Sequence, residues 1–240
     1  MFSYDQLLCT TAATPLQSIA DVLRAFETIV AICVDGDGLK WFNWLYLQVT
    51  HAVETRVASG GFSDAAWLEE LDVQFARLYL GALQAFLSNN PTPDCWATLF
   101  ACRDDARVAR IQFALAGINA HINRDLAEAI VTTCESTDTM PSHDTPQFQD
   151  YTSLNPTLDG IIESAKQTLH VRLLGDALPS ASHLEDLIAI WSVGAGREAA
   201  WNNAELLWYL RDTPLLGSTL MDTLDSLTSA TNKALLVPVP

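Results

Sequence analysis

Basic side chains are scarce in this 240-residue chain: 13 Lys and Arg stand against 29 Asp and Glu, a formal charge of −16 at pH 7. Nucleic-acid binding draws much of its affinity from neutralising phosphates with Lys and Arg, and no basic stripe is present to do so. The same charge repels an anionic membrane face. Nucleic acid and membrane are therefore not expected partners, and the acidity serves solubility. Long apolar runs are also missing, because Asp, Glu, Gln or Asn interrupts each one within a few residues, which excludes a membrane span. The opening MFSYDQLLCTTAATP has neither a basic segment nor a long apolar core. No secretory leader is expected, and the cytoplasm is the expected compartment. Paired cysteines are absent too. Cys9, Cys33, Cys95, Cys102 and Cys134 are odd in number and include no close C-x-x-C, so they read as apolar filler rather than a disulfide frame or a zinc knuckle. With 11 Gly and 10 Pro the chain is not linker-rich, and with 49% hydrophobic against 18% charged residues it is not disordered.

What the sequence does have is apolar spacing of three and four, the period of helices. Leu16, Ile19, Leu23, Phe26 and Val30 make one stripe, with Thr14 and Pro15 as cap and first position. A turn at Asp35-Gly36-Asp37-Gly38 ends it, since the third acidic position and terminal Glu of a calcium loop are missing. A helix over about 40–58 stops at Gly60-Gly61. Ser63 or Asp64 caps a third, which carries Trp67, Leu71, Phe75, Leu78 and Phe86 and breaks at Asn89-Asn90-Pro91. A short segment at about 94–102 and a helix over about 104–133 follow. Residues at about 135–152 lack any stripe and read as one long loop. Asn155-Pro156 opens the next helix. Ser182-His183-Leu184-Glu185 is a capping box for another, running through Trp191, Trp201 and Trp208. Pro214 starts the last. No strand pattern competes. The expected fold is all-α, one domain over 1–240, a bundle of seven to eight helices.

The densest polar cluster on an apolar helix is GINAHINRDL. His121 and Asp125 are four apart and share a face, with Ala114 and Gly117 on the same row. Asn119 and Asn123 form a neighbouring row with Gln112 and Ala116. A carboxylate beside an imidazole sets its tautomer and its basicity. Three readings stay open: His121 as general acid/base oriented by Asp125, a divalent metal held by both side chains with ligands from other helices, and an interhelical hydrogen-bond network with every polar atom satisfied. Asp72, in WLEELDVQF, is either a second carboxylate facing His121 or a solvated flank. Arg197, Trp201, Glu205 and Trp208 fall four, four and three apart on one face. Arg197 could stack on Trp201 and receive a carboxylate, or close an internal salt bridge with Asp125 or Asp72. His143 sits in the long loop, where it could swing over a pocket. Phosphate-binding glycine loops, nucleophile elbows and H-E-x-x-H are absent.

WFNWLYLQVTHAV, LDVQFARLYLGAL, RIQFALAGINAHINRDLAEAIV and REAAWNNAELLW resemble, in the same order, the bacterial family designated domain of unknown function 5995. The AGINAHINRDL block carries that resemblance most specifically, at Asn119, His121, Asn123 and Asp125. Arg124 departs from the second histidine of many relatives. The resemblance implies a helical fold and a site at this block, and no activity. The chain is more faintly similar to the helical zinc-dependent phospholipase C and nuclease fold, which also places H-x-x-x-D on a core helix. The further His and Asp ligands of that fold find no match in spacing here.

The expectation that follows is a tryptophan-lined pocket between helices. In it His121 moves a proton, Asp125 orients it, and Asn119, Asn123, Asp72, Arg197, Trp201 and Glu205 contact a small, largely apolar molecule during a cyclisation, isomerisation or elimination. A metal-dependent hydrolase centred on His121 and Asp125, and a non-catalytic binding or scaffold protein, are the alternatives. No cofactor is required by the first reading, a divalent metal by the second. A small-molecule ligand is the expected partner, with a homo-oligomer as a further one.

Overall fold

Five helix starts are set by a side chain that satisfies free N–H groups, those of Ser3, Ser18, Asp64, Thr145 and Ser192. The computed structural model describes residues 3–173 and 192–238, which contain helices, turns and loops and no strand. The first helix, α1 (Tyr4–Ala12), starts from a capping box in which Ser3 and Gln6 bond each other's backbone N–H. α2 (Ile19–Ile32) is capped by the Ser18 hydroxyl, and the Asp21 carboxylate accepts from Gln17 N–H and the Ser18 hydroxyl. The helix therefore begins four residues later than the Thr14-Pro15 pair suggests. α3 (Leu39–Ala58) follows a turn whose Asp37 is buried, accepting from Leu39 N–H at 2.8 Å and from the Tyr4 hydroxyl at 2.6 Å. α4 (Ala65–Leu87) is capped by Asp64 and ends at Asn89, which takes φ 55°.

α5 (Asp94–Ala101) receives its cap from far along the chain: Asp225 accepts from the Asp94 and Cys95 N–H groups. Next comes a rod in three pieces. α6 (Arg110–Ala120) runs into a π-helical turn at His121–Asp125, and α7 (Leu126–Ser136) continues it. The chain over 104–109 is turn rather than helix. α8 (Pro146–Ser153) occupies the latter part of the segment read as loop, with Thr145 as cap and Pro146 at its first position. α9 (Asn155–Leu173) follows directly. α10 (Val193–Leu210) has its own start, capped by the Ser192 hydroxyl, so it is not a continuation through Trp191. α11 (Pro214–Leu235) closes the described fold. The capping box at 182–185 and Trp191 lie outside the described residues.

α1 and α8 are short helices added to those expected, and the all-α architecture stands. One hydrophobic cluster joins the helices, from Leu8 in α1 to Leu235 in α11, with Trp67, Trp96 and Trp201 fully buried in it. All five cysteines are free. No helix among the described residues is long and apolar enough to cross a membrane.

The two rows on α6 have separate destinations. Gln112 donates to the Leu235 and Val237 carbonyls, and Asn119 donates to the Thr228 carbonyl and the Asn232 side chain. Asn232 in turn donates to the Cys95 carbonyl, and Asn123 donates to Asn119. This row is the seam that locks α11 onto α6 and α5. The other row, Ala114 to Asp125, looks toward α3 and α4 and contains the site.

Candidate active site

The π turn sits where the polar residues interrupt α6 and α7. Its defining hydrogen bond runs from Leu126 N–H to the His121 carbonyl, five residues back. Such turns are rare and recur at functional positions. Here the turn holds His121 and Asp125 together, with Nδ1 of the imidazole 3.0 Å from Asp125 Oδ2. Asp125 is wholly buried. Its Oδ2 also accepts from the Trp96 indole N–H at 2.8 Å, and its Oδ1 from Arg124 at 2.9 Å. Arg124 reaches on to Glu128 at 2.9 Å.

This geometry fixes the tautomer. Burial pushes the His121 imidazolium pKa below its ordinary value, against the opposing pull of Asp125, so the ring is neutral at pH 7. With Asp125 accepting at Nδ1, the proton resides there and Nε2 carries the lone pair. Nε2 is buried and has no hydrogen-bond partner.

Around the ring stand aromatics. Phe75 of α4 stacks on it with centroids 3.3 Å apart and planes 4° from parallel, while Tyr46 of α3 meets it edge-on at 4.7 Å. Phe42, one turn before Tyr46, also lies edge-on at 5.8 Å. Gly117 makes this approach feasible, since a Cβ there would overlap the Phe42 ring. Gly117→Ala is expected to lower stability by about 1–2 kcal/mol in urea unfolding, because overpacking in a rigid core outweighs the roughly 1 kcal/mol gained in helix propensity.

His121 lines a cavity of about 60 Å³. Its walls are apolar side chains of α3, α6 and α9, among them Leu45, Ile118, Leu158 and Ile162, with Phe75 and Val193 from α4 and α10. Two lining residues besides His121 carry polar groups, Tyr46 and Arg197. The Tyr46 hydroxyl is buried with no hydrogen-bond partner. Burial first, then the charges of Asp72 and Asp125, hold its pKa well above the ordinary phenol value, so it remains a donor. Two larger depressions, of about 250 Å³ beside Arg77 and 600 Å³ beside Arg103, are lined by no histidine.

A family model described as a family of unknown function, DUF5995, matches residues 19–238. The chain belongs to the DUF5995 family. No curated protein and no solved structure matches it. The matched span of this DUF5995 chain includes every group just described, the π turn and Arg197 among them.

Of the residues expected at the site, the structure brings His121, Asp125 and Arg197 to the cavity or directly behind it. Arg197 does not pair with Asp125 or Asp72, nor does it stack on Trp201. It donates to Asn155 Oδ1 at 2.8 Å and the Tyr151 carbonyl at 2.7 Å, and lies over the Tyr151 ring at 3.8 Å. Tyr151 belongs to α8, which the sequence reads as loop. Trp201 is not a cavity wall. It is fully buried among Trp67, Phe148 and Tyr151. Glu205 faces His143, whose Nδ1 lies 2.7 Å from it while Nε2 lies 3.0 Å from Glu198. His143 is thereby clamped to α10 rather than free to swing, and the bond to Glu198 leads in raising its pKa. Asn119 and Asn123 serve the α11 seam.

Asp72 is buried, not solvated, and one of its oxygens has no hydrogen-bond partner. It does not line the cavity, and its charge is felt at Tyr46. His183 and the His170 side chain lie outside the described residues.

Asp125 stands behind the ring, bonded to the nitrogen that faces it, and its other contacts are donors. Among the described residues, no group of three or more His, Cys, Asp or Glu is placed to hold a metal ion. Tyr46 and Phe75 are the site residues that sequence reasoning misses. Both lie in stretches that carry the family resemblance, yet an aromatic at helical spacing reads as core.

Proposed function

We propose that this protein is an acid/base enzyme acting on a small, largely apolar carbon acid, with His121 Nε2 as the base. The supporting observation is that His121 and Tyr46 line one apolar cavity and that each carries a buried polar atom, Nε2 and the hydroxyl, with no hydrogen-bond partner. Buried polar atoms without partners are costly, and sites that bind polar groups are where they persist.

The chemistry balances without a co-reactant. The Nε2 lone pair takes a proton from a carbon next to a carbonyl, and the C–H electron pair moves onto the carbonyl oxygen. The Tyr46 O–H donates to that developing oxyanion, and Asp125 stabilises the imidazolium that forms. Return of the proton from Nε2 to a different carbon of the delocalised anion completes an isomerisation. Because Nε2 is buried, substrate entry requires side chains around the ring to move.

Proton exchange tests this without knowledge of the natural substrate. Small β,γ-unsaturated ketones and 2-oxo acids in D2O are followed by NMR for loss of the acidic C–H signal. General-base catalysis contributes on the order of 100- to 10,000-fold. At least one compound is therefore expected to exchange about 100-fold faster with the wild type than with His121→Gln, whose amide can still donate to Asp125. Equal rates for the two proteins across the panel overturn the reading.

A further inference from the structure

Two arginines are buried among the described residues, and they are treated differently. Arg103 is surrounded by carboxylates: it bonds Asp5, and Asp37 and Asp104 stand at 3.9 and 3.8 Å. Arg197, 6% exposed, has no carboxylate partner among the described residues. Its companions are neutral: the Asn155 amide oxygen, the Tyr151 carbonyl and the Tyr151 ring. These use Nε and one terminal nitrogen, and leave the other terminal nitrogen without a protein acceptor among the described residues. In a chain with 29 acidic side chains, an uncompensated interior cation is not explained by shortage of counterions. Burying a guanidinium without a countercharge is expensive, and completing the pair with an anion recovers much of that expense.

Arg197 lines the same cavity as His121 and Tyr46, at the α9–α10 side. We infer that the ligand of this cavity is a small monocarboxylate with an apolar body, its carboxylate paired with Arg197 and its reacting carbon beneath His121. This rests on the proposed His121 site for the reaction, while the anion site stands on Arg197 alone. A single negative charge suits one guanidinium; the remaining walls are apolar and offer nothing to a second charge. Guanidinium–carboxylate pairing also fixes orientation, which a base acting at one carbon needs.

The probes are isobutyrate and its neutral isostere isobutyramide, titrated into the full chain by calorimetry at pH 7. Isobutyrate is expected to bind at least tenfold more tightly than the amide, although the protein's net charge opposes any anion. In Arg197→Gln the preference is expected to fall below threefold, and in His121→Gln to persist. Because Arg197 also ties α10 to α8 and α9, Arg197→Gln could unfold. The Arg197 side-chain Nε–H resonance of the wild type then decides: isobutyrate should shift it and isobutyramide should not. Equal affinity for the two probes, a preference unchanged in folded Arg197→Gln, or an unmoved resonance overturns the inference. A retained carboxylate preference with no proton exchange in the wild type fails the base and leaves the anion site standing.

Discussion

Asp125→Ala is expected to lower unfolding free energy by about 3–5 kcal/mol, the range for removing one partner from a buried charged network. The carboxylate accepts from three donors on two helices: the Trp96 indole of α5, the His121 ring and the Arg124 guanidinium. Its loss orphans a fully buried indole N–H and a buried imidazole N–H, and leaves Arg124 with only Glu128. Urea unfolding at pH 7 measures the effect, and a change under 1 kcal/mol would show the network to be inessential. Asp125→Asn separates stability from chemistry. Its amide oxygen can still accept from the Trp96 indole and from Nδ1, which share one oxygen of the carboxylate, yet a neutral side chain no longer stabilises the imidazolium that proton abstraction forms. That protein should fold and lose proton exchange.

Asp72→Asn should act in the other direction and depend on pH. Burial raises the Asp72 pKa to about 7, and one of its oxygens has no hydrogen bond to offset the loss of water. An unfolded Asp titrates near 3.9, so between about pH 4 and 7 the folded chain binds a proton that the unfolded chain does not. Stability from this group therefore falls as pH rises through that window, and is flat above it. Asparagine removes the ionisation. The variant should gain on the order of 4 kcal/mol at pH 8 and little at pH 4. The check is the unfolding free energy of both proteins at the two pH values. A gain of equal size at both would mean that ionisation is not the cause. A carboxyl so placed lowers stability while holding a charge near Tyr46, a trade that active sites commonly make.

The long helices are legible because each buries a stripe and carries its own stop. α3 and α4 lie where Trp41, Leu45 and Val53, and Trp67, Leu71 and Leu83, repeat. The two short helices escape because they bury too little to show a period: α1 buries Leu8 and Ala12, and α8 buries Asp150 and Tyr151. Their caps, Ser3 with Gln6 and Thr145 with Pro146, are the signals that could have found them. For α2, two caps compete, and Ser18 wins because Asp21 closes onto it and onto Gln17.

At the site, polar residues on an apolar helix mark His121 and Asp125, because desolvating them demands a reason. The same signal marks Asn119, whose reason is the seam with α11. Sequence spacing cannot tell these rows apart, since which neighbour each row meets is a tertiary fact. Arg197 is legible as a cation in an apolar setting, but its ring partner comes from α8, a helix without a stripe. The widened turn leaves no periodic trace, because one additional residue in a single turn disturbs too few apolar positions.

That widened turn also separates what the fold requires from what the chemistry requires. A single surplus residue bulged out of a helix lets the flanking segments keep their angular phase, so α6 and α7 can address their separate neighbours as though the rod were regular. A variant one residue shorter over 121–125 would pack the same way, with imidazole and carboxyl only three apart and the hydrogen bond between them remade or lost. Removing one residue from this turn is thus expected to undo the pairing of imidazole and carboxylate while the architecture persists.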